Sequence, residues 1–245
     1  MERERLMLQR LLPRTLFARI DIENTSIRRF LERAAAELPD GALVLDAGAG
    51  RCQYRELFAG QRYIGVDFTR GETTWDYSQL DVVGVLEHLP FRAASFDAAI
   101  CTQVLEHVPE PLGVLRELLR VLKPGGTLYL TAPQAFGEHQ EPHDYYRYTS
   151  FGLRYLFDQA GFAAVSVSAR GGYYWFLSAM LMYAYQKMFT GPQPKWKKAL
   201  LFLPRLAAAF VLLLALPQLL YCLDQTDRRR DITLGYECVG RRAGP

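Results

Sequence analysis

Between residues 42 and 132 the chain alternates short apolar runs with amphipathic stretches. ALVLDAGAG (42–50), RYIGVDF (62–68), LDVVG (80–84), FDAAICTQV (96–104) and GTLYLTAP (126–133) are rich in aliphatic and β-branched residues, which predicts buried strands. Between the last two, PEPLGVLRELLRVLKPGG places Leu115, Leu118, Leu119 and Leu122 at helical spacing. Pro124 and the pair Gly125–Gly126 are expected to stop that helix. A further helix is predicted over 149–160, ended by Gly161, with FAAVSVSA as a sixth strand and ITLGYECVGR as a seventh. Strands alternating with helices pair in parallel through right-handed crossovers, so the pattern predicts an α/β fold with a doubly wound, mostly parallel seven-stranded sheet.

A hydrophobic helical insertion interrupts this sheet before its last strand. YYWFLSAMLMYAYQKMF (173–189) and ALLFLPRLAAAFVLLLALPQLLYCL (199–223) are nearly free of charge, and GPQPKWKK separates them. The expected organisation is an N-terminal helical segment over 1–38, a core of 39–171 with 230–243, and a hydrophobic hairpin over 172–229. Three occupants suit such a hairpin: its own protein core, a second subunit, or lipid. Aromatics and lysines at the segment ends, among them Lys195, Lys197 and Lys198, favour lipid. The uncharged run Leu206–Leu223 has 18 residues, about 27 Å of helix at ~1.5 Å per residue, just short of a ~30 Å hydrocarbon core. Pro204, Arg205 and Pro217 weaken a clean crossing, so a monotopic hairpin dipping into one leaflet is expected over a spanning one.

Composition adds little to this picture. Half of the 245 residues are hydrophobic, and a formal charge of +3 does not indicate nucleic acid. Arginines 3, 5, 10, 14 and 19 cluster near the start, where a short amphipathic helix broken at Pro13 would lie on an anionic membrane surface or pack on protein. No secretory signal is visible, so the expected location is the cytoplasmic face of the membrane. The cysteines at 52, 101, 222 and 238 have neither disulfide nor zinc spacing.

Chemistry concentrates at the strand ends. The first strand runs into LDAGAG, whose Gly48 and Gly50 permit a tight turn and close ligand approach. Asp67 ends the second strand, placed to accept hydrogen bonds from ribose hydroxyls. GAGRC lacks the third glycine of a dinucleotide-binding fingerprint. Taken in order, DAGAG, VDF, LPFRAASFDAAICTQVLEHV and LKPGGTLYLTAP resemble the class I S-adenosylmethionine-dependent methyltransferases, closest to the large group that includes quinone-biosynthesis methyltransferases. The resemblance covers roughly 40–170 and the last strand. It implies that Asp46, Gly48 and Gly50 hold the methionine part of S-adenosylmethionine, with Asp46 near its ammonium. It also implies that Asp67 binds the ribose, Phe68 lies by the adenine or ribose, and Gln103 lines the pocket. Glu106 and His107 belong to the same pattern and are expected to shape their loop. The group carries an acidic residue for the adenine amino group where this chain has Val85, so either Glu87 or backbone near Leu86 substitutes or cofactor affinity is reduced.

After the fifth strand comes GEHQEPHDYYRYTS (137–150), at the sheet edge where open α/β folds bind substrate. Methyl transfer from a sulfonium mainly needs alignment, and an oxygen acceptor also needs to lose a proton. His143 is the first candidate base and His139 the second, with Asp144 to orient a histidine. Tyr145, Tyr146 and Arg147 are candidate acceptor contacts, Arg147 for a phosphate or carboxylate. The same loop also reads as a structural one. No metal is expected. The leading reading is a membrane-associated methyltransferase acting on a lipid or lipid-linked acceptor, with O-methylation favoured over C- or N-methylation. Two rivals are a soluble small-molecule methyltransferase whose hairpin makes a homodimer, and a membrane module that binds the cofactor without catalysis.

Overall fold

The computed structural model describes residue 9 and residues 12–71, 75–189, 194 and 200–244. The chain divides into a sheet unit, 27–169 with 235–245, and a helical unit, 1–26 with 170–234.

The sheet unit contains all seven predicted strands: β1 Leu43–Ala47, β2 Arg62–Asp67, β3 Val82–Val83, β4 Phe96–Thr102, β5 Leu122–Pro133, β6 Ala163–Ala169 and β7 Gly235–Arg241. Their order is β3-β2-β1-β4-β5-β7-β6, and only β7 is antiparallel, pairing with both β5 and β6. Because β7 reverses twice, β5 and β6 point the same way.

Period-two alternation explains why the strands read as continuous apolar runs. Val44, Ala98, Ile100 and Tyr129 face Ile27, Phe30, Leu31 and Ala34 of α2 (Ile22–Glu37). Leu45, Ala99, Cys101, Leu128 and Leu130 face the opposite core, which holds Leu115 and Leu118 of α3 (Pro111–Val121) and Leu153 and Phe157 of α4 (Ser150–Ala160). Both faces are covered, so both sets of alternating positions must be apolar. The Thr149 hydroxyl caps α4 by accepting from Gly152 N at 3.0 Å, and Gly161 ends it at φ 95°, a left-handed conformation that suits glycine.

One boundary differs from expectation. The α3 helix stops at Val121, and β5 begins at Leu122, before Pro124 and the glycines. Phe96 pairs with Leu122, and the register then jumps so that Ala98 pairs with Thr127. The residues between form a bulge in which Gly125 takes φ 79°.

In the helical unit, α1 (Arg14–Ile20) follows Pro13 and packs on the second apolar helix: Arg19 Nη1 donates to Gln218 Oε1 at 3.3 Å and its guanidinium lies 4.8 Å over the Tyr221 ring. The first apolar helix, α5, spans Tyr173–Phe189, and its amino end is capped by Asp224, which accepts from Gly172 N and Trp175 N. The second, α6, is one continuous helix over Phe202–Thr226, 25 residues long and apolar enough to cross a membrane by length and composition. Pro204 and Pro217 do not divide it. Pro204 sits in its first turn, where an N–H is not needed. Pro217 is preceded by a π-helical stretch, Phe210–Ala215, whose wider turn absorbs the missing hydrogen bond. Only 11% of its most apolar window is buried, and Phe202, Leu203, Leu206 and Phe210 are exposed. An apolar cavity of about 650 Å³ lies between α6 and the N-terminal segment, lined by Leu12, Ile20, Leu203, Phe210, Leu213 and Leu214. Lys195, Lys197 and Lys198, and Arg3, Arg5 and Arg10, lie outside the described residues.

Candidate active site

The carboxyl ends of β1, β2 and β4 bring the expected cofactor residues together. Gly48 and Gly50 turn the chain after β1 with φ 81° and 50°, conformations a side chain rarely adopts. Gly48 N and Ala49 N both donate to Val66 O, which ties the turn to β2. Asp67 then fixes it: Oδ2 accepts from Gly50 N at 3.0 Å and Oδ1 from Thr69 N at 2.7 Å. Gln103 has φ 53° at the end of β4, and its Nε2 donates to Thr131 Oγ1 at 3.1 Å.

Asp46 is 1% exposed. Tyr63 donates its hydroxyl to Oδ2, while Oδ1 is buried without a hydrogen-bond partner among the described residues. Burial pushes its pKa up to about 7, against the lowering effect of the Tyr63 hydroxyl. A buried carboxylate with one free oxygen fits a cationic group such as the ammonium of an amino acid. The glycine turn and the Asp67 carboxylate beside it fit a ribose, so the residues present suit S-adenosylmethionine.

Sequence reasoning missed two contributors. Tyr63 is one, since only the fold sets its hydroxyl against Asp46. Trp75 is the other: a Cβ on Gly50 would lie 2.8 Å from its ring, so the indole covers the glycine turn. Val85, at the position where the resemblance implies an acidic residue, is 47% exposed. Leu86 is buried in the core, so only its backbone is available, and Glu87 stands on the same short 3-10 turn, Leu86–His88.

The loop after β5 folds back over the β4 end. Glu106 is 0% exposed, and its carbonyl accepts from Tyr145 N and Tyr146 N. His107 Nδ1 lies 2.6 Å from His143 O, so the ring donates to that carbonyl. Burial lowers the His107 pKa, which favours the neutral ring. His139 Nε2 is 3.1 Å from His107 Nε2. The His143 ring lies edge-on to Phe68, 6.2 Å between centroids, with Nδ1 3.1 Å from the Tyr145 hydroxyl. This pair is where the loop after β5 meets the end of β2.

One loop assignment changes and another becomes specific. Arg147, expected to hold an acceptor anion, spends all five N–H groups on the loop: Nε on Phe136 O, Nη1 on Asp144 Oδ1 and Tyr146 O, Nη2 on Gly137 O and Asp144 Oδ2. It is a clamp rather than a free anion site. Asp144, held ionised at a pKa of about 2 by that guanidinium, lies 3.5 Å from His139 Nδ1 and so accompanies His139 rather than His143. Tyr146 donates to Pro109 O at 2.9 Å, and Tyr145 and Tyr146 remain partly exposed.

Residues 45–130 match the family described as a methyltransferase domain. A ubiquinone biosynthesis O-methyltransferase of Xanthomonas campestris is 36% identical over 118 residues, covering 42% of this chain and 49% of that protein. A tRNA (carboxymethyluridine(34)-5-O)-methyltransferase of Arabidopsis thaliana is 31% identical over 140 residues, 55% of this chain and 33% of that protein. The chain thus spans about half the length, or less, of the curated relatives it matches. Among solved structures, a methyltransferase of Haloferax volcanii in complex with its Trm112 activator superposes with a TM-score of 0.54 at 20% identity, over 93% of this chain and 94% of that one. A phosphoethanolamine N-methyltransferase of Haemonchus contortus gives 0.53 at 16% identity, over 91% and 53%. The match to the methyltransferase domain thus covers residues 45–130, and over most of the chain the seven-stranded sheet has the fold of these methyltransferase structures.

Proposed function

We propose that this protein is a membrane-attached methyltransferase that O-methylates a lipid or lipid-linked acceptor at the cytoplasmic face of a membrane. The observation that carries the membrane half is α6, a predominantly apolar helix of 25 residues whose most apolar window is only 11% buried. At ~1.5 Å per residue it is about 37 Å long, more than a ~30 Å hydrocarbon core, whereas the 17 residues of α5 reach only about 26 Å. The chain leaves the sheet after β6 and re-enters it at β7, so a single crossing cannot serve. A hairpin dipping into one leaflet satisfies both constraints. Departure after β6 is at the sheet edge that carries the β1, β2 and β4 loops, since β5 and β6 run the same way. A bilayer tether there favours an amphiphilic acceptor, and the apolar cavity beside α6 suits a hydrocarbon chain. The O-methyltransferase relatives support oxygen as the methylated atom.

In this reading Asp67 and the Gly48–Gly50 turn hold the ribose and methionine parts of the cofactor, and Asp46 pairs with the ammonium. Phe68 packs against the nucleoside, and Gln103 lines the pocket. When bound, S-adenosylmethionine supplies an electrophilic methyl group on a sulfonium. His143, positioned by Phe68 and Tyr145, takes the proton that the acceptor hydroxyl loses. His143→Ala is expected to lower turnover about 100-fold, within the range of lost general-base catalysis, with cofactor affinity nearly unchanged. Unchanged turnover would remove His143 as the base.

Cofactor binding should also report on Asp46. Its raised pKa of about 7 means that it is largely protonated below neutrality. Pairing with an ammonium requires the ionised form. Affinity should therefore rise with pH through about 7 and level off above it, falling at lower pH by up to about tenfold per unit. Tyr63→Phe removes the donor that lowers this pKa, and should move the inflection to higher pH. Calorimetry across this range checks both; a flat profile would separate Asp46 from the ammonium. Flotation of the full chain with anionic vesicles tests the membrane half, and a protein that stays at the bottom of the gradient contradicts it.

A further inference from the structure

We propose that Glu106, His107 and His139 form a binding site for a divalent first-row transition-metal cation such as zinc, beside the acceptor loop. Their ligand-capable atoms all lie within 4.8 Å of one another. The two imidazoles carry the site. His107 Nδ1 is 2.6 Å from the His143 carbonyl oxygen, and His139 Nδ1 is 3.0 Å from the Gly137 carbonyl oxygen. A carbonyl only accepts, so both Nδ1 atoms carry the ring proton. With both rings neutral, both Nε2 atoms hold lone pairs, and these two acceptors face each other at 3.1 Å. Two bare acceptors repel at that distance unless a metal ion or a shared proton stands between them, and the buried Glu106 carboxylate beside them favours the metal.

The geometry suits a metal. Two imidazole nitrogens at ~2.0–2.1 Å from a tetrahedral ion stand about 3.3 Å apart, close to the separation found. Glu106 Oε1 is 3.9 Å from His107 Nε2 and is fully buried, which gives a carboxylate ligand on a third side. The surroundings also match a metal site, where a ligating histidine donates its other N–H to a carbonyl or carboxylate. Both rings do so here, with Asp144 3.5 Å from His139 Nδ1 and 3.9 Å from His107 Nδ1. Two histidines and one carboxylate fit zinc or another imidazole-preferring ion and leave a coordination position open, suited to an acceptor oxygen. Sequence spacing concealed the site, because Glu106 and His107 follow β4 while His139 follows β5.

The site stands whether or not the acceptor is a lipid, and its test does not measure methyl transfer. The full-length protein, stripped with a chelator and titrated with Co²⁺, is expected to bind one equivalent, with visible absorption bands that Zn²⁺ abolishes by displacement. His107→Ala and His139→Ala should each weaken Co²⁺ by more than about tenfold, the lower end of what even outer-sphere losses cost. His139 is partly exposed on a loop and outside both cores, so His139→Ala should fold, which its melting curve in chelator verifies. A wild-type chain that retains neither Co²⁺ nor Zn²⁺, or a folded His139→Ala that binds as tightly, would overturn the site. So would nitrogen-15 histidine spectra, in the presence of Zn²⁺, with a proton shared between the two Nε2 atoms.

Discussion

A chain that starts at residue 27 and has residues 170–234 replaced by a short turn is expected to remain folded, to bind cofactor, and to lose both vesicle flotation and activity on lipid-linked acceptors. Folding should survive because both cores draw only on residues of the sheet unit. Ala169 of β6 already pairs with Tyr236 of β7 in antiparallel register, so a tight hairpin closes the gap. Exchanging a long connection for a short one also lowers the entropy of closure. The membrane loss should be large. Phe202, Leu203, Leu206 and Phe210 are all exposed on α6, and burying each in hydrocarbon is worth about 1.5–3 kcal/mol. Four such residues together exceed about 6 kcal/mol, more than a thousandfold in partitioning. Flotation and circular dichroism of the shortened chain check this. If it still floats, the lipid-binding surface lies elsewhere; if the full chain is a dimer off vesicles and the shortened one a monomer, the hairpin is a subunit interface.

Asp67→Ala should weaken S-adenosylmethionine binding about 100-fold or more. The carboxylate accepts from Gly50 N and Thr69 N, so it shapes the glycine turn, and in the proposed function its remaining lone pairs accept from the ribose hydroxyls. Hydrogen bonds to a charged group contribute about 1.5–3 kcal/mol each, and two to the ribose account for the predicted loss. Asp67→Asn keeps one acceptor oxygen and should lose less. Calorimetry on both variants, with melting curves as a fold control, tests the assignment; a change below about threefold would remove Asp67 from the ribose.

What the sequence made legible were features encoded in periodicity and in single backbone-permissive residues. Alternating Val44/Leu45 and Ile100/Cys101 marked strands buried on both faces, and Gly48, Gly50 and Gly161 marked turns that need positive φ. What stayed hidden depends on pairings the fold alone creates. A bulge at the head of β5 put Leu122 in the sheet, where helical spacing had placed it on α3. A π-helical stretch let α6 pass Pro217. The Arg147 donors were committed to Phe136, Gly137, Asp144 and Tyr146, partners whose geometry no spacing rule encodes. Asp144 stood near enough to two histidines in sequence, and only the fold of the loop set it beside His139.

The central claim is methyl transfer to an amphiphilic acceptor at a membrane. Its most direct test incubates the purified full chain with methyl-labelled S-adenosylmethionine and vesicles made from host lipid extract, then follows the label by organic extraction and mass spectrometry. The prediction is a labelled, organic-soluble product carrying one added O-methyl group, absent with Asp67→Ala. Label that appears only in water-soluble products, or no transfer from a cofactor that calorimetry finds bound, would contradict it.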